Sequence, residues 1–130
     1  MSNYNISRLI LENVQYNFTK PDRKDISISV SDNIKVIEIH ENEAVLDVER
    51  TLYFDSRTES FVKVNYEIVV KHDEAIVKQD LLDALSNKNI NLTAVYSKAS
   101  LLISQITNMS PFGVIITPPS FDPKNINIVS

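Results

Sequence analysis

Between Ala44 and Val70 apolar and polar residues alternate so regularly that extended strands are the only regular structure to suit them. In "AVLDVERTLYFD", Ala44, Leu46, Val48, Leu52 and Phe54 share one parity, and Val45, Asp47, Glu49, Thr51, Tyr53 and Asp55 the other. In "FVKVNYEIVV", Val62, Val64, Tyr66, Ile68 and Val70 alternate with Phe61, Lys63, Asn65, Glu67 and Val69. A period of two sends successive side chains to opposite faces of a pleated strand. Asp55–Glu59 reads as the turn between the two strands. Upstream, Ile10, Val14, Tyr16 and Phe18 share a parity, with Glu12 the exception, before the turn signal Lys20-Pro21-Asp22. Ile26, Ile28 and Val30 alternate, and after Ser31-Asp32-Asn33 come Ile34 and Val36. The parity then switches to Ile37 and Ile39, which predicts a bulge. These four strands are expected to form an antiparallel meander with one buried and one wet, mildly acidic face. A single glycine leaves the turns to Asn, Asp, Ser and Pro.

The second half of the chain reads as helices. Asp73 is the expected N-cap of a short helix through Ser86, with Val77, Leu81, Ala84 and Leu85 on one side. Asn91 is the expected cap of a longer one, "LTAVYSKASLLISQITNM". Its apolar positions 92, 95, 96, 99, 102, 103, 106 and 109 form a helical stripe. The fold class is therefore α+β: one domain over residues 1–130, a four-stranded antiparallel sheet with one short and one long helix on one face. Residues 89–121 carry one charged side chain, Lys98. The long helix's other face, Thr93, Ser97, Ser100, Leu101, Ser104 and Thr107, is small and uncharged. Charge depletion marks the centres of interfaces, so Ser97, Ser100, Leu101 and Ser104 are expected to meet another subunit.

Little in the sequence points to catalysis. There is no cysteine, hence no thiolate nucleophile and no zinc–thiolate site. His40 and His72 fall at strand ends, and "HENE" at 40–43 reads as a solvated turn rather than a metal site. No serine occupies a Gly-x-Ser-x-Gly elbow, and the lone glycine excludes phosphate-cradling loops. No enzyme activity, cofactor or metal is expected. A net charge of −4 argues against nucleic acid as a partner. The absence of a long apolar run or a signal-peptide pattern leads us to expect a cytoplasmic chain without membrane insertion.

One stretch stands apart: "SPFGVIITPPSFDP", from Ser110, holds the only glycine and four of the five prolines. Four strands, a short helix, a long helix and then this apolar crossover resemble the layout of the SecB family of export chaperones. Pro118-Pro119-Ser120-Phe121-Asp122 is similar to that family's Pro-x-Asn-Phe-Asp signature, with Ser120 in place of asparagine. "VQYNFTKP" (14–21) resembles its first strand. The resemblance implies a homo-oligomer, a dimer or a tetramer built as a dimer of dimers, with long helices packed between dimers. It also implies ATP-independent holding of unfolded polypeptide clients and preproteins in apolar grooves. Phe112, Val114, Ile116 and Phe121 of the crossover, with Tyr16 and Phe18 from the sheet, would contact the client. The family's final helix and the tail that docks on the translocase ATPase SecA have no counterpart in "PKNINIVS". Two acidic positions of the first strand correspond to Asn13 and Asn17, while one in the fourth is retained as Glu67, a candidate translocase contact. The resemblance thus bears more directly on client binding than on SecA. A dedicated chaperone of one partner, such as an antitoxin, and a structural or assembly subunit are the rival readings.

Overall fold

Five strands and two helices follow in the order β1 (Tyr4–Tyr16), β2 (Ile28–His40), β3 (Glu43–Phe54), β4 (Glu59–His72), α1 (Lys78–Ser86), α2 (Thr93–Thr107) and β5 (Ile126–Val129). The computed structural model describes residues 3–18, 27–54, 59–111, 113–121 and 126–129. The alternation of β3 and β4 is realised as read from Ala44 to Leu52 and from Val62 to Val70, whereas Phe61, read on the opposite face, joins the core at a register shift. Ala44, Leu46, Val48 and Leu52 are buried, as are Val62, Val64, Tyr66, Ile68 and Val70. Cross-strand pairing sets Ala44 against Val70, Leu46 against Ile68 and Val48 against Tyr66. Each such side chain removed from water contributes about 1.5–3 kcal/mol, so this face must be covered, and the helices cover it. The α+β class, the antiparallel four and the two helices are as expected.

Strand order departs from a simple meander. The sheet runs β1-β4-β3-β2-β5, so β1 pairs with β4 and not with β2. Only β2, β3 and β4 are joined as successive hairpins, and β1 returns to the far side in the manner of a Greek key. Alternation declares which face of a strand is buried but says nothing of its neighbour. The phase of β1 also differs from the sequence reading. Register shifts between Ile6 and Arg8 and between Leu11 and Asn13 place Leu9, Val14 and Tyr16 opposite Ile68, Val64 and Val62. Leu9, rather than Ile10, therefore shares the helix-facing side with Val14, because the extra residue at Glu12 inverts the alternation.

In β2 the predicted bulge is present: the register shifts between Val36 and Glu38. Ser31-Asp32-Asn33 does not interrupt the strand, and Ser31 and Asp32 are buried. The HENE stretch forms the tight β2–β3 turn, with His40 paired to Glu43 and Glu41 at φ 55°. His72 is buried and lies against the Tyr4 ring at 4.3 Å.

The first helix begins at Lys78, five residues after the expected cap at Asp73. Ile76 explains the delay: its side chain is buried and its N–H donates to Glu41 O at 2.8 Å, holding the approach extended. Its end needs a left-handed residue, supplied by Lys88 at φ 57°. Lys88 N–H bonds Leu85 O and Asn89 N–H bonds Ala84 O, a Schellman pairing made without glycine. The N-cap of α2 is Leu92, one residue after the expected Asn91, whose Oδ1 still accepts from Thr93 N–H at 3.0 Å. The predicted stripe is buried at Leu92, Val95, Tyr96, Ala99, Ile103 and Ile106, while Met109 is exposed.

Candidate functional site

A charge sits in the middle of the apolar face of β3. Arg50 shares the parity of Leu46, Val48 and Leu52 and is 1% exposed. It lies opposite Asp32 in the β2–β3 register, and the two form a fork-to-fork pair, Nε to Oδ1 at 2.7 Å and Nη2 to Oδ2 at 2.9 Å. Its remaining N–H groups reach the crossover: Nη1 donates to Thr117 Oγ1 at 3.0 Å and to Pro118 O, and Nη2 to Ser120 O at 3.0 Å. All five guanidinium donors are thereby satisfied, which is the condition for burying a charge without a large penalty. The guanidinium also lies over the Tyr96 ring of α2, 4.8 Å from its centroid. Burial, with the Asp32 carboxylate second, pushes the Tyr96 phenol upward, and Arg50 partly opposes this. One residue thus joins β2, β3, α2 and the crossover.

Two further bonds lay the crossover back along α2. Thr107 Oγ1 accepts from Ile115 N–H at 2.9 Å, and Ser100 Oγ donates to Thr117 O at 2.6 Å. The small hydroxyl face of the helix therefore receives the chain's own backbone at these points. Ser100 is turned toward the crossover, Ser104 is half-buried and donates to Leu101 O, and Ser97 and Leu101 face outward. Gly113, at φ 82°, makes the reversal that starts the return, a backbone angle that costs a residue with a Cβ about 1–2 kcal/mol.

Extended backbone fastened this way turns alternate residues in and out. Ile115 packs against the core and Thr117 is buried. Val114 and Ile116 point away, 52% and 81% exposed. Leu101 of α2, at 59%, and Met109 just beyond its end add to the exposed apolar surface. Phe121, expected at a client, is instead a core residue, buried with its ring 5.2 Å from that of Tyr96. Arg50's grip on the carbonyls of Pro118 and Ser120 orients the chain so that the next side chain turns inward. Phe121 also helps line a cavity of about 220 Å³ with Lys88, Ile90, Leu92 and Tyr96. Tyr16 is exposed and stacks on Phe18 at 5.1 Å, and Phe18 packs partly on the core. Both lie at the β1 edge, on the opposite side of the sheet from β2, whose Asp32 anchors the crossover. The structure thus sets Val114 and Ile116 together and Tyr16 and Phe18 apart. Phe112 lies outside the described residues.

The outward face of the sheet is polar. Asn65 Nδ2 donates toward Asp47 and Glu49 at 3.2–3.3 Å, and Glu67 is half-buried nearby. Hydrogen bonding to Glu67, then desolvation and the Glu67 and Asp47 charges, raise the Glu12 carboxyl above its ordinary 4.5. A raised acid binds its proton more tightly when folded, so the stability it lends is complete below the unfolded value and is lost as pH rises through the folded one. Glu12→Gln should therefore melt higher than the parent at neutral pH, and the difference should vanish below the ordinary carboxyl value of 4.5. Melting curves across that range check it. Among the described residues no cluster of three or more His, Asp or Glu is arranged to hold a metal, and no helix is long and apolar enough to cross a membrane.

No protein-family model and no curated protein sequence matches the chain. Among solved structures, the fold is similar to the SecB-like chaperone Rv1957 of Mycobacterium tuberculosis, determined in complex with a ChAD peptide from the Rv1956 HigA1 antitoxin. The TM-score is 0.62 at 8% identity, covering 91% of this chain and 88% of that one. A protein of unknown function from Streptococcus agalactiae aligns at a TM-score of 0.49 and 7% identity, covering 91% of this chain and 98% of that one. The fold is SecB-like.

Proposed function

We propose that this chain is a SecB-like, ATP-independent holdase that binds extended apolar polypeptide segments on its crossover. The observation that carries this reading is the exposure of Val114 and Ile116 on a segment fixed from beneath by Thr107 and Ser100 of α2 and, at its far end, by Arg50. Apolar side chains held in a set geometry bind a guest without first losing their own conformational freedom. The SecB-like fold supports the reading, as does the peptide held by the Rv1957 chaperone. That peptide comes from one antitoxin, which favours as second reading a dedicated chaperone of a single partner. Glu67, on the polar face beside Glu12, is the candidate translocase contact if clients are destined for export. The role is non-enzymatic and cytoplasmic on this account.

Suppression of aggregation of an unrelated, chemically unfolded protein tests the proposal. A general holdase suppresses it near one client per oligomer. A dedicated chaperone protects only its partner, and a structural subunit protects nothing.

The account includes a homo-oligomer joined through the outward part of α2, at Leu101 and Ser97. Leu101→Asp places a charge at the centre of that contact and should reduce the native mass to that of a smaller species, leaving the far-UV spectrum unchanged. Light scattering coupled to size exclusion reads this directly, and an unchanged mass would contradict it.

A further inference from the structure

The sheet ends in a strand that the four-stranded reading did not anticipate. β5 pairs in parallel with β2, setting Ile126 beside Asp32, Asn127 beside Asn33, Ile128 beside Ile34 and Val129 beside Lys35. It spans 4 residues, against 12 to 14 for the other strands. The side-chain fastenings described for the crossover all lie upstream of it: Thr107 on Ile115, Ser100 on Thr117, Arg50 on 117–120 and Phe121 on Tyr96. Among the described residues, β5 meets the sheet in a four-residue backbone ladder on β2. Its sequence, Ile-Asn-Ile-Val, is uncharged, and three of its four residues are apolar and β-branched. An unfolded polypeptide presents segments of that kind, and strand addition at a sheet edge recognises them through the backbone.

We infer that β5 is a built-in stand-in for the client: it occupies a strand position on β2 that an extended, uncharged guest segment takes by displacing it. This rests on the chaperone reading and deepens it by naming a second element of the guest's site. The guest's backbone pairs with Asp32–Lys35 in place of β5. The stand-in raises the threshold for binding, so weak or short segments are turned away and longer apolar ones admitted. Because Arg50 holds the crossover upstream of Phe121, release of β5 leaves the Asp32–Arg50 pair in place.

The test uses the full-length chain with Asn127→Pro and Ile128→Pro together, which removes consecutive backbone donors and prevents β5 from pairing. The probe is a fluorescein-labelled peptide of residues 122–130, followed by anisotropy. The double variant should bind it at least tenfold more tightly than the parent chain, and a peptide carrying the same two prolines should bind neither. Equal affinity for parent and variant would overturn the inference. So would loss of the folded spectrum in the variant, since β5 would then be integral to the sheet. A change of native mass without a gain in affinity would also overturn it, marking β5 as a subunit contact. Aggregation suppression by the parent chain is measured alongside. Suppression with unaltered peptide affinity refutes the stand-in and leaves the holdase, whereas a gain in peptide affinity without suppression refutes the holdase and leaves the displaceable strand.

Discussion

Replacing Asp32 by alanine should lower the stability of the fold by about 3–5 kcal/mol, because it leaves the Arg50 guanidinium buried without its counter-charge. For a chain of this size the melting temperature should fall by on the order of 10 °C. Arg50→Lys should fail similarly, since one ammonium cannot span the carboxylate, a hydroxyl and two carbonyls that the planar fork reaches. Arg50→Met combined with Asp32→Leu separates the two roles of the pair. Exchange of a buried ion pair for apolar side chains is often neutral for a core, so the sheet should recover most of its stability. The carbonyls of Pro118 and Ser120 would still lack their donor, and the crossover would stay loose. Hydrogen exchange at Ile115 N–H reports this, rising in the double variant while the β3 and β4 amides remain protected. Equal protection of Ile115 in parent and double variant would show that Arg50 supports the sheet alone.

The second large effect falls on binding and spares stability. Val114 and Ile116 are exposed, so replacing both by serine should change stability by no more than about 0.5 kcal/mol. An unfolded client that buries these two side chains gains roughly 1.5–3 kcal/mol from each if burial is complete. Losing even half of each contribution is about a factor of ten or more in affinity. The double variant should therefore bind a permanently unfolded client at least tenfold more weakly while melting with the parent. Titration calorimetry and a melting curve on the same preparation give both numbers.

What the sequence revealed follows from how local each feature is. β3 and β4 were legible because their buried residues alternate over long stretches, and the bulge at Ile37 announced itself as a change of parity. β1 was read out of phase because the irregularity at Glu12 puts a polar residue where the parity rule wants an apolar one. Its place beside β4 depends on a long-range pairing that alternation cannot encode. The four residues of β5 form a strand only because β2 offers an edge. Arg50 is the informative omission: it stands at an apolar position of β3, as Asp32 does in β2, and two opposite charges at inward positions of neighbouring strands signal a buried pair. With that pair recognised, the inward turn of Phe121 follows from the carbonyls on either side of Pro119. The small face of α2 was read as a subunit contact, but smallness equally suits a backbone laid against the helix, and Ser100 and Thr107 receive one.

Site-specific photo-crosslinking tests most directly whether the crossover is where guests bind. A photoreactive side chain is placed at Ile116 and, in a separate chain, at Lys63 on the polar face, and each is irradiated with a labelled, denatured client. Adducts at position 116 that vanish once the client has folded, with none at 63, are the result this account predicts. Adducts absent from 116, or equally abundant at both positions, would contradict it.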